Sequence, residues 1–348
     1  MDPLERIGFD AHFASAIQAS ESGLLPGRAV FESRGIYHVL VADGRILFAE
    51  LKGILRKGAR ADQGAYPVVG DWVLLEPMDS RRALLVRALP RKNCLIRREQ
   101  SRREAGRRAS VLQILAANVD WGFITTSLNE EWNPRRLERY LALVRDAEIR
   151  PAILLTKADV CDDPQQVLQE TKELAGNIPV FLVSGFNRQG LPELVSLIAQ
   201  GQTAVLIGSS GVGKSTLVNA LLGDDVMATA EIREKDSRGR HTTVARHLLP
   251  LPNGGCIIDS PGLRDLGLVD TESVEASFDD IEERANACRF SDCRHQSEPG
   301  CAVRTALEDG TLNPDRWENY QKLLQETQLA QQKIKGKTEK NTKYSKKR

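Results

Sequence analysis

The order of three short motifs limits what this chain can fold into more than any other feature. Residues 208–215, GSSGVGKS, match the G-x-x-x-x-G-K-[ST] pattern of a phosphate-binding loop, with the apolar run TAVLI before them and a helix-forming stretch after them. Asp259-Ser260-Pro261-Gly262, a D-x-x-G element, follows this loop, whereas Thr156-Lys157-Ala158-Asp159, a base-reading element, precedes it. In the usual chain order of such nucleotide domains the phosphate loop comes first. The rearranged order joins the natural ends of the domain internally and opens new termini elsewhere. It predicts a circularly permuted α/β P-loop domain whose flanking domains attach to different switch elements.

Each motif predicts particular contacts. Gly208, Ser209, Ser210, Gly211, Val212, Gly213, Lys214, Ser215 and Thr216 make up the loop and the first helical residues. Backbone amides there wrap phosphates, Lys214 contacts the β and γ oxygens, and Ser215 binds Mg²⁺. Lys214 is otherwise expected to be a surface loop charge without a core role. Asp259 ends the strand GCIID, where it holds Mg²⁺ through water, and the Gly262 amide meets the γ-phosphate. Between loop and strand lies Arg238-Gly239-Arg240-His241-Thr242-Thr243, polar enough to serve as a switch; one of Thr242 and Thr243 completes the Mg²⁺ shell. Leu263 stands where Ras-like enzymes place a water-orienting glutamine, so His241 becomes the candidate catalytic group, with a backbone or RNA contact as the competing role.

The base end is equally specific. An Asp159 carboxylate accepts from both guanine N1–H and the amino group, a donor pair that adenine lacks, so the expected nucleotides are GTP and GDP. Lys157 and Asp159 end a predicted strand, at the sheet edge where open α/β folds bind ligands. Thr156 replaces the usual asparagine of this element. Ser184-Gly185, at the end of the next strand, can offer a backbone amide to the guanine oxygen.

Three of six cysteines crowd into Cys288-x₄-Cys293-x-His295-x₅-Cys301, a spacing that suits one closed, structural Zn²⁺ rather than a disulfide ladder. Cys94, Cys161 and Cys256 are expected to be ordinary core or half-buried thiols.

Residues 28–33, 37–42, 45–51, 71–76 and 82–88 form short candidate strands, with the hairpin signal Asp43-Gly44 between the second and third. Five such strands suit a small barrel of the OB type, and an SH3-like barrel fits them as well. From residue 121 strands alternate with helices, which predicts a parallel sheet: strands at 121–126, 152–156, 179–184, 204–208, 247–251 and 256–259, helices at 164–175, 191–199 and 214–222, and one after the first strand with Asn133 as its cap. Further helices are expected near 274–287 and from about 315 to 332. The domain division expected is an N-terminal extension (1–27), an OB-like RNA-binding barrel (28–110), a permuted GTPase domain (111–270), a zinc-binding helical domain (271–332) and a basic disordered tail (333–348).

Charge is nearly balanced, 48 Lys and Arg against 47 Asp and Glu, so a nucleic-acid partner is argued only from local clusters at residues 91–108 and 333–348. No apolar run reaches membrane-spanning length, so the expectation is a cytoplasmic protein without a membrane partner.

Taken together, these residues resemble the RsgA/YjeQ-type circularly permuted GTPases of small ribosomal subunit biogenesis. The resemblance runs from Gly70-Asp71-Trp72-Val73 through Ala117-Asn118-Val119-Asp120 to GSSGVGKS, GRHTT, DSPG and the zinc set, nearly the whole chain. It implies an N-terminal OB domain, a central permuted GTPase and a C-terminal zinc-binding helical domain. It also implies a monomer that binds the 30S subunit and its rRNA, hydrolyses GTP under stimulation by that subunit, and assists its late maturation, with a hydrolytic role for His241. Thr156 and Val244 depart from the pattern. Two other classes compete: an RNA-binding scaffold whose nucleotide is only structural, and an ATP-dependent kinase or ATPase, against which Asp159 argues.

Overall fold

A computed structural model describes residues 2–53, 66–100, 110–128, 132–209, 211–223, 246–259, 278–290 and 293–325. The chain divides into two compact units, one of residues 1–132 with 147–265, the other of residues 133–146 with 266–348.

The first unit opens with two short helices, α1 (Pro3–Arg6) and α2 (Ala11–Ser15), each capped by an aspartate, Asp2 and Asp10, whose side chain accepts a first-turn amide. Alternating apolar residues then build β1 (Leu25–Ser33), β2 (Ile36–Val41), β3 (Ile46–Leu51), β4 (Trp72–Pro77) and β5 (Arg82–Ala88). These close into a barrel in the order β1-β2-β3-β5-β4. Only β3 and β5 pair in parallel, and the barrel is of the OB type. Inward residues such as Val39, Leu47, Val73, Leu75 and Leu85 fill it. The chain reverses at Asp43-Gly44 as expected, but Gly44 alone has positive φ, +80°, where a two-residue turn would need it at Asp43 as well.

The chain next forms an antiparallel hairpin, β6 (Cys94–Gln100) with β7 (Ser110–Ala117), so the basic cluster at 91–108 contains a strand that its composition did not reveal. Then come β8 (Trp121–Ser127), α3 (Pro134–Asp146) of the second unit, β9 (Arg150–Thr156), α4 (Pro164–Ala175), β10 (Val180–Val183), α5 (Leu191–Leu197), β11 (Thr203–Ile207), α6 (Lys214–Leu222), β12 (His247–Pro250) and β13 (Cys256–Asp259). The sheet order is β10-β9-β8-β11-β13-β12. Phe123, Leu154, Leu206, Ile257, Leu217 and Leu221 are among its buried core residues.

One edge departs from the expected parallel sheet: β12 runs antiparallel to β13. The connection from Pro250 to Cys256 is a tight turn closed by Leu251 N to Gly255 O at 2.7 Å, far too short for a parallel crossover.

Arg28 ties the barrel to this sheet. Its guanidinium is 1% exposed and donates to the carbonyls of Ile7, Gly70 (3.3 Å) and Asn118 (3.0 Å). Asn118, at φ +56°, returns a side-chain amide to Gly70 O at 3.1 Å and accepts from Lys92 N. A Cβ on Gly70 would lie 2.1 Å from Ala117 O, so only glycine permits this approach. The neighbouring Asp71, fully buried, holds Arg91 through two contacts of 2.8 Å. Arg6 O accepts from Gly201 N, which fastens the N-terminal segment to the turn before β11. Phe31 of β1 stacks on His247 of β12 with centroids 4.3 Å apart.

In the second unit α3, α7 (Asp279–Asn286), α8 (Ala302–Glu308) and α9 (residues 314–325) pack together. Asn133 caps α3 by accepting from Arg136 N. Glu138 of α3 is buried where Arg316 and Asn319 of α9 both reach it, and Arg316 also grips Asp280 at 2.6 Å. Burial pushes the Glu138 carboxyl up, against the opposing pull of Arg316 and Asn319. Of the two late helices expected from sequence, the first begins at Asp279 among the described residues and the second is described to residue 325. Among the described residues no helix is long and apolar enough to cross a membrane.

Candidate nucleotide site and candidate metal centre

Four parallel strands deliver the predicted nucleotide residues to one edge of the sheet. Thr156 ends β9, Ser184 follows β10, Gly208 follows β11 and Asp259 ends β13. β9 and β10 are neighbours, with Thr156 opposite Val183; β11 and β13 are neighbours nearer the other edge. The motif order along the chain is permuted, yet the carboxyl ends of parallel strands bring the same set together, where open α/β sheets bind ligands.

The glycine-rich loop is shaped by close approaches. A Cβ on Gly208 would sit 2.3 Å from Thr125 O, so the loop leaves β11 pressed onto β8. Gly211 and Gly213 have φ of +86° and +95°, a backbone region that disfavours side chains, and Gly213 caps α6. The start of α6 and the glycine-rich loop before it thus offer backbone amides of the kind that bind anions. Lys214 departs from the expected surface charge. It is 8% exposed, and its ammonium donates to Gly208 O at 2.9 Å and Ser209 O at 2.5 Å. A cation held so far out of water fits a phosphate group. Ser215 and Thr216 are exposed on the first turn of α6, Val212 is buried, and Asp259 is buried with His247 as its partner across β12 and β13.

At the base end, Lys157 adopts a left-handed conformation, φ 59°, and turns the chain into the short 3₁₀ segment Ala158–Val160 that exposes Asp159. Thr156 is 4% exposed, and its hydroxyl donates to Val212 O at 2.5 Å and lies 3.2 Å from Thr126 O. Sequence reasoning placed Thr156 against the base and did not foresee this bond to the phosphate loop. Ser184 is buried, with its hydroxyl accepting from the amides of Phe186 and Asn187. Gly185 lies against Thr216, which a Cβ there would approach to 3.0 Å. Ser210, His241, Thr242, Thr243, Gly262 and the expected basic tail lie outside the described residues.

The second unit carries a separate constellation. One ligand atom each of Cys288, Cys293, His295 and Cys301 lies within 4.8 Å of the others. Cys288 Sγ and Cys301 Sγ are 3.9 Å apart, and His295 Nδ1 lies 3.5 Å from the first and 3.4 Å from the second. Tetrahedral zinc with Zn–S of about 2.3 Å and Zn–N of about 2.0 Å spaces its ligands by about 3.5–3.8 Å, so the set fits that ion. His295 reaches its position through φ +60°. Cys301 Sγ also accepts from Arg304 N at 3.4 Å, capping α8. Burial opposes ionisation of Cys288, but the Val303 and Ala302 amides and the neighbouring thiols outweigh it and lower its pKa. Cys293 is pushed up to about 11 by desolvation and, against an amide contact from His295, by the thiols of Cys301 and Cys288. A closed zinc site would supply the cation that neighbouring thiolates need.

Comparison with known proteins identifies the family. Residues 88–269 match the family described as RsgA GTPase. The chain is 42% identical over 315 residues to the small ribosomal subunit biogenesis GTPase RsgA 2 of Lactiplantibacillus plantarum, covering 90% of this chain and 87% of that one. It is 40% identical over 328 residues to the small ribosomal subunit biogenesis GTPase RsgA of Methanosarcina acetivorans, covering 94% and 86%. The crystal structure of YjeQ from Thermotoga maritima superposes with a TM-score of 0.63 at 25% identity, over 87% of this chain and 98% of that one.

Proposed function

Because the chain belongs to the RsgA GTPase family and is a GTP hydrolase, we propose that it works on the small ribosomal subunit, binding the 30S particle and its rRNA and hydrolysing GTP under stimulation by that particle late in maturation. Convergence of the base and phosphate elements on one sheet edge, with Thr156 bonded to Val212, is the observation that carries the nucleotide assignment. Asp159 reads the guanine edge and Gly185 offers its amide to the guanine oxygen. The loop from Gly208 to Gly213 wraps the phosphates, and Lys214 neutralises them from its buried position. Ser215 and Asp259 are the described residues that would hold Mg²⁺, with Thr242 or Thr243 as a further ligand. When bound, the ion neutralises charge that develops on the transferred phosphoryl group.

Orientation of the attacking water falls to His241, since Leu263 has no group that could hold a water. One Zn²⁺ on Cys288, Cys293, His295 and Cys301 stiffens the second unit. The barrel and the basic segments at 91–108 and 333–348 supply RNA phosphate contacts. The protein acts as a monomer in the cytoplasm.

Phosphate release from GTP, measured with and without purified 30S subunits, tests this function. The expected result is turnover that rises on adding subunits and is lost in Lys214→Ala. Equal turnover with and without subunits would remove the ribosomal assignment.

A further inference from the structure

Phe186 is 87% exposed, the most exposed large apolar side chain among the described residues. Its position is as informative as its exposure. Val183 of β10 pairs with Thr156 of β9, so Phe186 and Asp159 each lie three residues beyond that pair at the same edge of the sheet. Val160, next to Asp159, is also 66% exposed. The base end of the candidate nucleotide site is therefore flanked by apolar surface that folding leaves in water.

The loop bearing Phe186 is braced on several sides. The buried Ser184 hydroxyl accepts from Phe186 N at 3.2 Å and Asn187 N at 3.3 Å, and Ser184 N donates to Gln189 O at 3.1 Å. Gly185 fits against Thr216 on the first turn of α6, and a Cβ on Gly190 would come within 2.2 Å of Leu182 O. Six ring carbons are thus held in solvent by a backbone with little room to relax. A burial-driven fold gains nothing from that arrangement, whereas a flat apolar ligand does.

The chemistry of the site calls for such a surface. A carboxylate at Asp159 fixes the edge of a base by hydrogen bonds in the plane of the ring, and those bonds resist tilt poorly. A planar side chain on the face of the ring removes that freedom and adds contact that is indifferent to which base is bound.

We infer that Phe186 is a stacking platform for the base of the bound nucleotide, setting affinity and base orientation while Asp159 sets the choice of base. The inference rests on the nucleotide-site reading above.

Titration calorimetry on the full chain with GDP, inosine diphosphate and inorganic pyrophosphate tests it, with folding checked by circular dichroism. Phe186→Ala should weaken both nucleotides by the same factor, about five- to a hundredfold, and leave pyrophosphate binding unchanged. Phe186→Trp should restore affinity and acquire a fluorescence that GDP quenches. Wild-type GDP affinity in Phe186→Ala overturns the inference, and so does an equal loss of pyrophosphate, which would show a structural role. Loss of association with 30S subunits at unchanged GDP affinity overturns it in favour of a macromolecular contact. Lys214→Ala separates the two readings: if that variant keeps full GDP and pyrophosphate binding, the phosphate-loop assignment fails, whatever Phe186→Ala does.

Discussion

The hydroxyl of Thr156 donates to the carbonyl of Val212 at 2.5 Å, so the end of β9 is fastened directly to the glycine-rich loop. A threonine at this position therefore has work to do that a missing amide does not account for. Thr156→Val keeps the shape and removes the donor, which leaves a buried carbonyl without its partner. Denaturant unfolding should show a loss of about 1–3 kcal/mol, accompanied by weaker GDP binding, and Thr156→Ser should retain most of both. Unchanged stability in the valine variant would show that the bond contributes nothing.

Gly208→Ala should be more damaging than its size suggests. The new Cβ would lie 2.3 Å from Thr125 O, a backbone atom of β8 that cannot move without disturbing the sheet. Relief by shifting the loop costs about 1–3 kcal/mol and displaces the phosphate cradle. GDP affinity should fall more than tenfold while the circular dichroism spectrum stays that of the wild type. Normal binding would mean that the loop tolerates a different path out of β11.

Asp159→Asn tests base selection. Its carboxylate is exposed, ready for a ligand, and the exchange replaces two acceptor oxygens by one acceptor and one donor. Competition binding should show GTP weakened by roughly ten- to a hundredfold, from loss of a charge-assisted pair of about 1.5–3 kcal/mol, and xanthosine triphosphate strengthened. If the preference for GTP over xanthosine triphosphate is unaltered, the base is read elsewhere.

What could be read from the sequence and what could not divide along the range of the interactions. Alternation in the barrel strands and the strand-to-helix rhythm after Trp121 act over a few residues, so β5, α4, α6 and β13 stand where pattern placed them. The antiparallel edge strand was missed because helix–strand alternation is blind to a five-residue reversal such as Leu251–Gly255. The choice between OB and SH3-like barrels needed pairing between β3 and β5, a relation between distant segments. The motif residues Gly70-Asp71-Trp72 and Ala117-Asn118 were legible as a signature only. Their physical reason, a close approach of Gly70 to Ala117 and a buried Arg28 seeking carbonyls, belongs to three dimensions. The burial of Lys214 and the bond from Thr156 to Val212 were hidden for the same reason.

Metal removal should act on the second unit. Metal analysis should find one Zn²⁺ per chain, and Cys293→Ser or a strong chelator should loosen the helices around the site, because ligation there is folding free energy. Trp317, with its ring 5.5 Å from the His295 imidazole, offers a local readout. Its fluorescence should change on chelation while GDP binding by the first unit persists. A protein purified without zinc that shows normal amide protection across residues 293–325 would overturn the assignment.

The junction at Arg28 also sets the order in which the chain can become native. Its acceptors lie at Ile7, Gly70 and Asn118, so a barrel emerging first from synthesis holds this cation with an incomplete set of carbonyls. At elongation rates of about 5–20 residues per second, roughly five to eighteen seconds separate Arg28 from Asn118. During that interval the barrel is provisional. The last acceptor is the carbonyl of Asn118, just before β8, so the set is complete only as the chain begins the sheet that carries the phosphate loop.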